Sequence, residues 1–179
     1  LQEPRGANLV SMARTALAMG GINAGVATGL AVGLVTGDRG RGARLGLNLA
    51  AKNALALTGV SIDVVGEAFL SHRPAIFIAN HQSALDPAVL AVLLKEDFTA
   101  VAKKEARFDP RSMIASLLVD PVYVDRGNSE QARAALDAVV TRLRDGTSLM
   151  IFPEGTRSPT STLGPFRKGA FHLAVQSGL

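Results

Sequence analysis

The sequence predicts an α/β layered domain, a central mixed β-sheet flanked by helices, preceded by an apolar helical segment. Three observations carry that reading. Short β-branched runs alternate with amphipathic stretches from about residue 59 onward. A run without charged side chains, Thr15 to Gly37, comes before them. Apolar residues make up 47% of the 179 and charged residues 19%, enough to bury a core and too apolar for a disordered chain. The expected division is a membrane-associating helical segment, residues 1–58, and an α/β domain, residues 59–179.

In the first segment, Gly21, Gly25, Gly29, Gly33 and Gly37 recur every fourth residue. On a helix this lays a smooth groove along one face, where a second helix can approach closely. In water each such glycine would cost about 1 kcal/mol relative to alanine. The run is long enough to cross a bilayer, and it could also re-enter or lie in one. A glycine-rich hairpin buried within protein, broken near Gly20-Gly21, is the alternative. Beyond it, Arg41, Arg44, Asn48 and Lys52 share a helical stripe, as on a helix lying at a membrane surface or on a solvated face. If Thr15 to Gly37 spans, Arg39, Arg41, Arg44 and Lys52 outnumber Arg5 and Arg14, which places the rest of the chain in the cytoplasm. Leu1 is not an initiator residue, no signal-peptide pattern opens the chain, and Leu179 falls just past a predicted helix. A chain truncated at both ends is expected.

Within the α/β part, Ser61 to Val65, Ala75 to Ala79, Thr99 to Ala102, Pro121 to Val124 and Ser148 to Phe152 read as strands. Pro87 to Lys95, a stretch within Glu105 to Leu118, Glu130 to Arg144 and Pro165 to Gln176 read as helices. The third of these has Ser129 as its expected N-cap, Ala132, Leu136, Val139 and Leu143 facing inward, and Gly146 as its stop.

Composition narrows the chemistry. There is no Cys, so no disulfide framework, thiolate nucleophile or zinc–thiolate site. His72, His81 and His172 are scattered without metal-ligand spacing, and we expect no metal. A formal charge of +4 favours anionic partners, but no Trp and one Tyr speak against a base-stacking surface, and no nucleic-acid partner is expected. There is no phosphate-loop motif and no Gly-x-Ser-x-Gly elbow that would make Ser83 a nucleophile.

Two segments remain. Asn80-His81-Gln82-Ser83-Ala84-Leu85-Asp86-Pro87 follows an apolar strand, at the kind of exit where α/β sites form. Pro87 suits the first helical position, making Asp86 the expected N-cap. A turn folding back would let the Asp86 carboxylate receive the ring N–H of His81, freeing the other nitrogen as a general base. On this segment alone, a simple helix cap and a hydrogen-bonded histidine are the plainer reading. Phe152-Pro153-Glu154-Gly155-Thr156-Arg157-Ser158 also leaves a strand: Gly155 permits close backbone approach, Thr156 brings a hydroxyl and Arg157 a planar cationic fork suited to phosphate. A polar turn with a Glu154–Arg157 ion pair is the plainer reading. Lys103-Lys104, Arg126 and Arg167-Lys168 add cations at further strand exits or a helix start.

Taken together, Asn80-His81-x-x-x-x-Asp86, Tyr123-Val124-Asp125-Arg126 and Phe152-Pro153-Glu154-Gly155-Thr156-Arg157-Ser158 resemble the glycerolipid acyltransferase family, and within it the 1-acylglycerol-3-phosphate acyltransferases of the PlsC type. The apolar start also looks like the junction in fusions with an upstream phosphatase-like domain. The resemblance implies His81 as general base and Asp86 as its orienting partner. It implies Arg126, Glu154, Gly155, Thr156, Arg157 and Lys104 as the group binding or supporting the acceptor phosphate. It implies no bound cofactor, an acyl-CoA or acyl carrier protein thioester as co-substrate, lysophosphatidate as acceptor, membrane lipids as partners and a site on the cytoplasmic face. Glycerol 3-phosphate or another lysolipid as acceptor, and a non-catalytic lipid-binding module, are the readings beside it. Two departures stand out: Asp120 occupies a position where the family often has Gly, and the family's fourth motif, a Pro-containing strand, would fall after Leu179.

Overall fold

The computed structural model describes residues 9–108, 119–125 and 127–179. It divides into two compact units, Leu1–Asp63 and Val64–Leu179.

The first unit is a helical hairpin. Helix α1 (Leu9–Thr36) runs without a break through Gly20-Gly21, so the break that the alternative hairpin reading placed there does not occur. The chain turns instead at Gly37, whose φ of 71° lies in the left-handed region that glycine enters without steric cost. Asp38 then caps helix α2 (Arg39–Thr58), its Oδ1 accepting the Arg41 N–H at 2.8 Å. The two helices run antiparallel, and the every-fourth glycines form their seam. A Cβ on Gly25 would sit 2.4 Å from the Ala50 nitrogen, and one on Gly29 2.5 Å from both the Gly42 oxygen and the Gly46 Cα. The groove read from the sequence is therefore filled by the next helix of the same chain. Asn53 Nδ2 donates to the Gly21 carbonyl at 2.9 Å, a further tie across the seam. Leu9, Val10, Met12, Leu17, Leu30, Leu34 and Val35 of α1 stay exposed. Among the described residues α1 is the one helix long and apolar enough to cross a membrane by length and composition.

The second unit bears out the α/β class. Strand β1 (Ile76–Ile78), helix α3 (Asp86–Leu94), β2 (Phe98–Lys103), β3 (Val122–Val124), helix α4 (Ser129–Arg144), β4 (Ser148–Ile151) and helix α5 (Gly169–Ser177) follow in that order. The strands align as β1-β4-β2-β3. Every described pairing is parallel, with Ile78 opposite Ile151, Ala100 opposite Met150 and Lys103 opposite Val124. Where a mixed sheet was expected, long connections return each strand in the same direction, as parallel pairing requires. Leu149 on β4 is fully buried against Val139, Leu143 and Leu173 of α4 and α5, and Val122 and Val140 complete the core. The predicted inward face of α4 holds at Val139 and Leu143, with Leu136 packed at the margin.

Several local expectations shift. Residues 61–65 form no strand: Ile62, Val64 and Val65 suit one, but among the described residues no strand pairs with them. Lys104–Phe108 is a short 3₁₀ turn, and residues 109–118 of the predicted helix lie outside the described residues. The N-cap of α4 is Asn128, not Ser129, because the Asn128 Oδ1 accepts the N–H groups of both Glu130 and Gln131 at 3.1 Å. Helix α5 begins later than Pro165, since the Arg167 N–H is drawn to the Pro153 carbonyl at 2.8 Å. Asp120 has φ 47°, the left-handed conformation a glycine would take freely. Arg142 holds it there, donating to the Asp120 carbonyl at 2.7 Å and to its Oδ2 at 2.8 Å.

Candidate active site

Because the strands are parallel, their carboxyl ends lie on one edge, where α/β sheets bind ligands. β1 delivers Asn80-His81 there, β4 delivers Phe152 to Arg157, β2 delivers Lys103-Lys104 and β3 delivers Asp125. β1 and β4 are neighbours, and the Ala79 N–H donates to the Ile151 carbonyl at 3.2 Å, carrying their pairing one residue further. The two segments singled out in the sequence therefore emerge side by side.

His81 and Asp86 meet: the ring Nδ1 lies 2.8 Å from Asp86 Oδ2. The same oxygen accepts the main-chain N–H of Gln82 at 2.7 Å and of Ser83 at 2.8 Å. Amide N–H groups can only donate, so Oδ2 acts as acceptor. Nδ1 then carries its hydrogen, and the lone pair sits on Nε2. The cap assignment needs correcting. Leu85 caps α3 without a side-chain bond, and Asp86 is the first helical residue, ahead of Pro87. Its carboxylate turns back over the 82–83 turn instead of capping forward, so the helix-cap reading of Asp86 falls away. The imidazole also stacks on Phe152, with centroids 4.1 Å apart and planes 12° off parallel, a contact worth about 0.5–1.5 kcal/mol. The His81 side chain remains 19% exposed, so its outer edge is reachable.

Glu154 lies on the inside of the adjoining turn and is only 5% exposed. Its Oε1 accepts the His81 main-chain N–H at 2.7 Å and its Oε2 the Gly164 N–H at 2.8 Å. Both oxygens are thus used on main chain, and the surface ion pair with Arg157 does not form. The sequence grouped Glu154 with the phosphate-binding residues; a buried anion with both oxygens engaged presents no donor to a phosphate. Ser158 donates its N–H to the His81 carbonyl at 2.8 Å. Phe152, Gly164 and Ser158 were not read as site residues. Of these, Phe152 and Ser158 bound the motif singled out in the sequence, whereas Gly164 carried no signal there.

The cations divide. Thr156 and Arg157 are exposed, and the Arg157 side chain makes no hydrogen bond or ion pair among the described residues. Gly155 has φ 74°, a conformation that favours glycine. Lys104 Nζ pairs with Asp125 Oδ2 at 3.0 Å. That hydrogen bond, helped by the Gly127 N–H, holds the Asp125 carboxyl below its ordinary value. Lys104 therefore comes to the edge with its charge already partnered. Arg126 lies outside the described residues. An open groove of about 470 Å³ adjoins the edge, lined by Ile78, Ala79, Asn80, Pro153, Leu163 and Phe166 among others.

A model of the acyltransferase family matches residues 61–179. The chain belongs to the acyltransferase family. It is 39% identical over 123 residues to a 1-acyl-sn-glycerol-3-phosphate acyltransferase of Saccharomyces cerevisiae, covering 67% of this chain and 41% of that one. It is 32% identical over 133 residues to the alpha 1-acyl-sn-glycerol-3-phosphate acyltransferase of Mus musculus, covering 73% of this chain and 47% of the relative. Among solved structures it resembles the 1-acyl-sn-glycerophosphate (LPA) acyltransferase PlsC of Thermotoga maritima, at a TM-score of 0.65 and 27% identity, over 79% of this chain and 58% of that one. The chain thus spans less than half the length of the yeast and mouse relatives.

Proposed function

We propose that the protein transfers a fatty acyl group from an acyl thioester to the sn-2 hydroxyl of 1-acylglycerol 3-phosphate, giving phosphatidate. The observation that carries this is the 2.8 Å His81–Asp86 bond on the carboxyl edge, directly beside the Glu154–Arg157 turn. His81 Nε2 takes the hydroxyl proton as that oxygen attacks the thioester carbon. An alcohol is too weak an acid to ionise beforehand at neutral pH, so removal accompanies attack. The tetrahedral intermediate collapses, the C–S bond breaks, and the leaving thiolate takes the proton back from the imidazolium. Asp86 keeps the ring in one tautomer and answers its transient charge. Acyl-CoA and an acyl carrier protein both supply the thioester this step needs, and no bound cofactor enters it.

Arg157, with Gly155, Thr156 and Arg126, holds the acceptor phosphate and sets its hydroxyl against the thioester. Lys104 joins them by exchanging Asp125 for the phosphate. The apolar groove lined by Ile78, Leu163 and Phe166 gives a lipid chain a place to lie.

The hairpin supports a membrane location in the plane of one leaflet. Crossing the bilayer would carry α2 in with α1 and take Arg44 and Lys52 into the hydrocarbon, at up to roughly 2.5–3.5 kcal/mol each. Lying in the interface leaves those cations at the headgroups, where the negative cytoplasmic leaflet attracts them.

The test is an acyl-transfer assay of the intact protein with a thioester and a panel of acceptors: lysophosphatidate, glycerol 3-phosphate and 1-monoacylglycerol. Preference for lysophosphatidate supports the reading. Turnover indifferent to the phosphate contradicts the role given to Arg157.

A further inference from the structure

The turn from Glu154 to Ser158 takes hold of His81 twice. Glu154 Oε1 accepts the His81 N–H at 2.7 Å, and the His81 carbonyl accepts the Ser158 N–H at 2.8 Å. Gly155, Thr156 and Arg157, the residues given to the acceptor phosphate, lie between these two grips. Glu154 Oε2 reaches on to the Gly164 N–H, so one side chain joins the general base to the loop that follows. Burying a carboxylate is costly unless its oxygens are well bonded, and a turn can be packed with apolar side chains at no such cost. Here the buried charge is spent on fixing main chain at His81.

We propose that Glu154 to Ser158 forms a clasp through which the bound acceptor phosphate sets the position of His81, with Glu154 as the positioning residue. This rests on the acyl-transfer reading. Phosphate on Arg157 favours the conformation in which both grips are closed, and only in that conformation does Nε2 face the acceptor hydroxyl. A ligand shifts such an equilibrium only by binding the two states unequally. The phosphate therefore raises turnover as well as affinity, because a misplaced base loses rate steeply with distance.

Two substitutions disturb the clasp without touching the reacting atoms. Glu154→Gln sets an amide NH2 against one of the two main-chain donors. Gly164→Ala presses on it from outside, its new Cβ meeting Glu154 Oε2 at 2.8 Å. In the intact protein, Glu154→Gln lowers kcat with lysophosphatidate by on the order of 10²-fold, with a smaller rise in the acceptor KM and the protein still folded at the assay temperature. Gly164→Ala gives a smaller loss of the same kind, and it keeps the test open if Glu154→Gln does not fold. With 1-monoacylglycerol, which lacks the phosphate, added inorganic phosphite raises wild-type turnover and leaves that of Glu154→Gln where it was. A rise in KM at unchanged kcat, or equal activation of both proteins by phosphite, overturns the clasp while leaving acyl transfer intact. If the wild type transfers to no acceptor, the acyl-transfer reading itself falls, and the clasp with it.

Discussion

The helical hairpin and the edge of the sheet both depend on main chain held in close register, and they achieve it by opposite means. In the hairpin, side chains are absent: Gly25, Gly29 and Gly42 let backbone meet backbone where a Cβ would stand 2.4–2.5 Å from its nearest neighbour. At the sheet edge, two carboxylates reach across to amides: Asp86 to Gln82 and Ser83, Glu154 to His81 and Gly164. The first arrangement is broken by adding atoms and tolerates any polarity change outside the seam. The second is broken by changing a single oxygen, with volume held constant.

Isosteric substitution at Asp86 is the sharpest way to press that difference. Asp86→Asn keeps the size of the side chain but sets an amide NH2 in competition with the oxygen that now receives three donors. Turnover should fall by on the order of 10³- to 10⁴-fold through the wrong tautomer and orientation of the imidazole. Steady-state kinetics beside a thermal melt checks this: a tenfold loss or less would reduce Asp86 to a structural group.

The opposite substitution applies to the hairpin. Gly29→Leu meets the Gly42 carbonyl and Gly46 Cα with nowhere to go. It should cost about 1–3 kcal/mol in the hairpin, read as lost hydrogen-exchange protection in α1 and α2 with the α4 and β4 amides unaffected. Unchanged protection would mean that the glycines are not what closes the seam.

These contrasts explain what could be read from the sequence. The hairpin seam was visible because spacing alone encodes it, although the sequence did not name α2 as the partner. The four strands were visible as β-branched runs, whereas residues 61–65 show the same texture and form no strand. Propensity describes a surface that fits a sheet, not whether a neighbour arrives. His81 and Asp86 were visible as a spacing, but the cap reading could not be removed until Leu85 proved to be the cap. Glu154 was legible as a site residue and not as a buried one. Whether Glu154 pairs with Arg157 or turns inward depends on Gly164, ten residues away, and no local pattern carries that.

The smallest expected effect concerns Lys104 and Asp125. The Lys104 hydrogen bond holds the folded-state value of Asp125 below 3.8. Its contribution to stability is therefore fully present above the unfolded value and lost as pH falls through the lower folded one. Asp125→Asn should leave the shape of the pH–rate profile between about pH 5 and 8 unchanged. It should remove a small part of the acid sensitivity of folding, because the pair is solvent-exposed. A change in the profile near neutrality would place Asp125 closer to the chemistry than its exposed ion pair does.

The most direct measurement compares wild type and His81→Ala in single-turnover acyl transfer to lysophosphatidate, with acceptor binding measured in parallel. With His81 as general base, transfer falls by at least about 10²-fold, the lower end for such a group, while lysophosphatidate still binds with its wild-type affinity. Transfer at near-normal rate by His81→Ala would contradict that role.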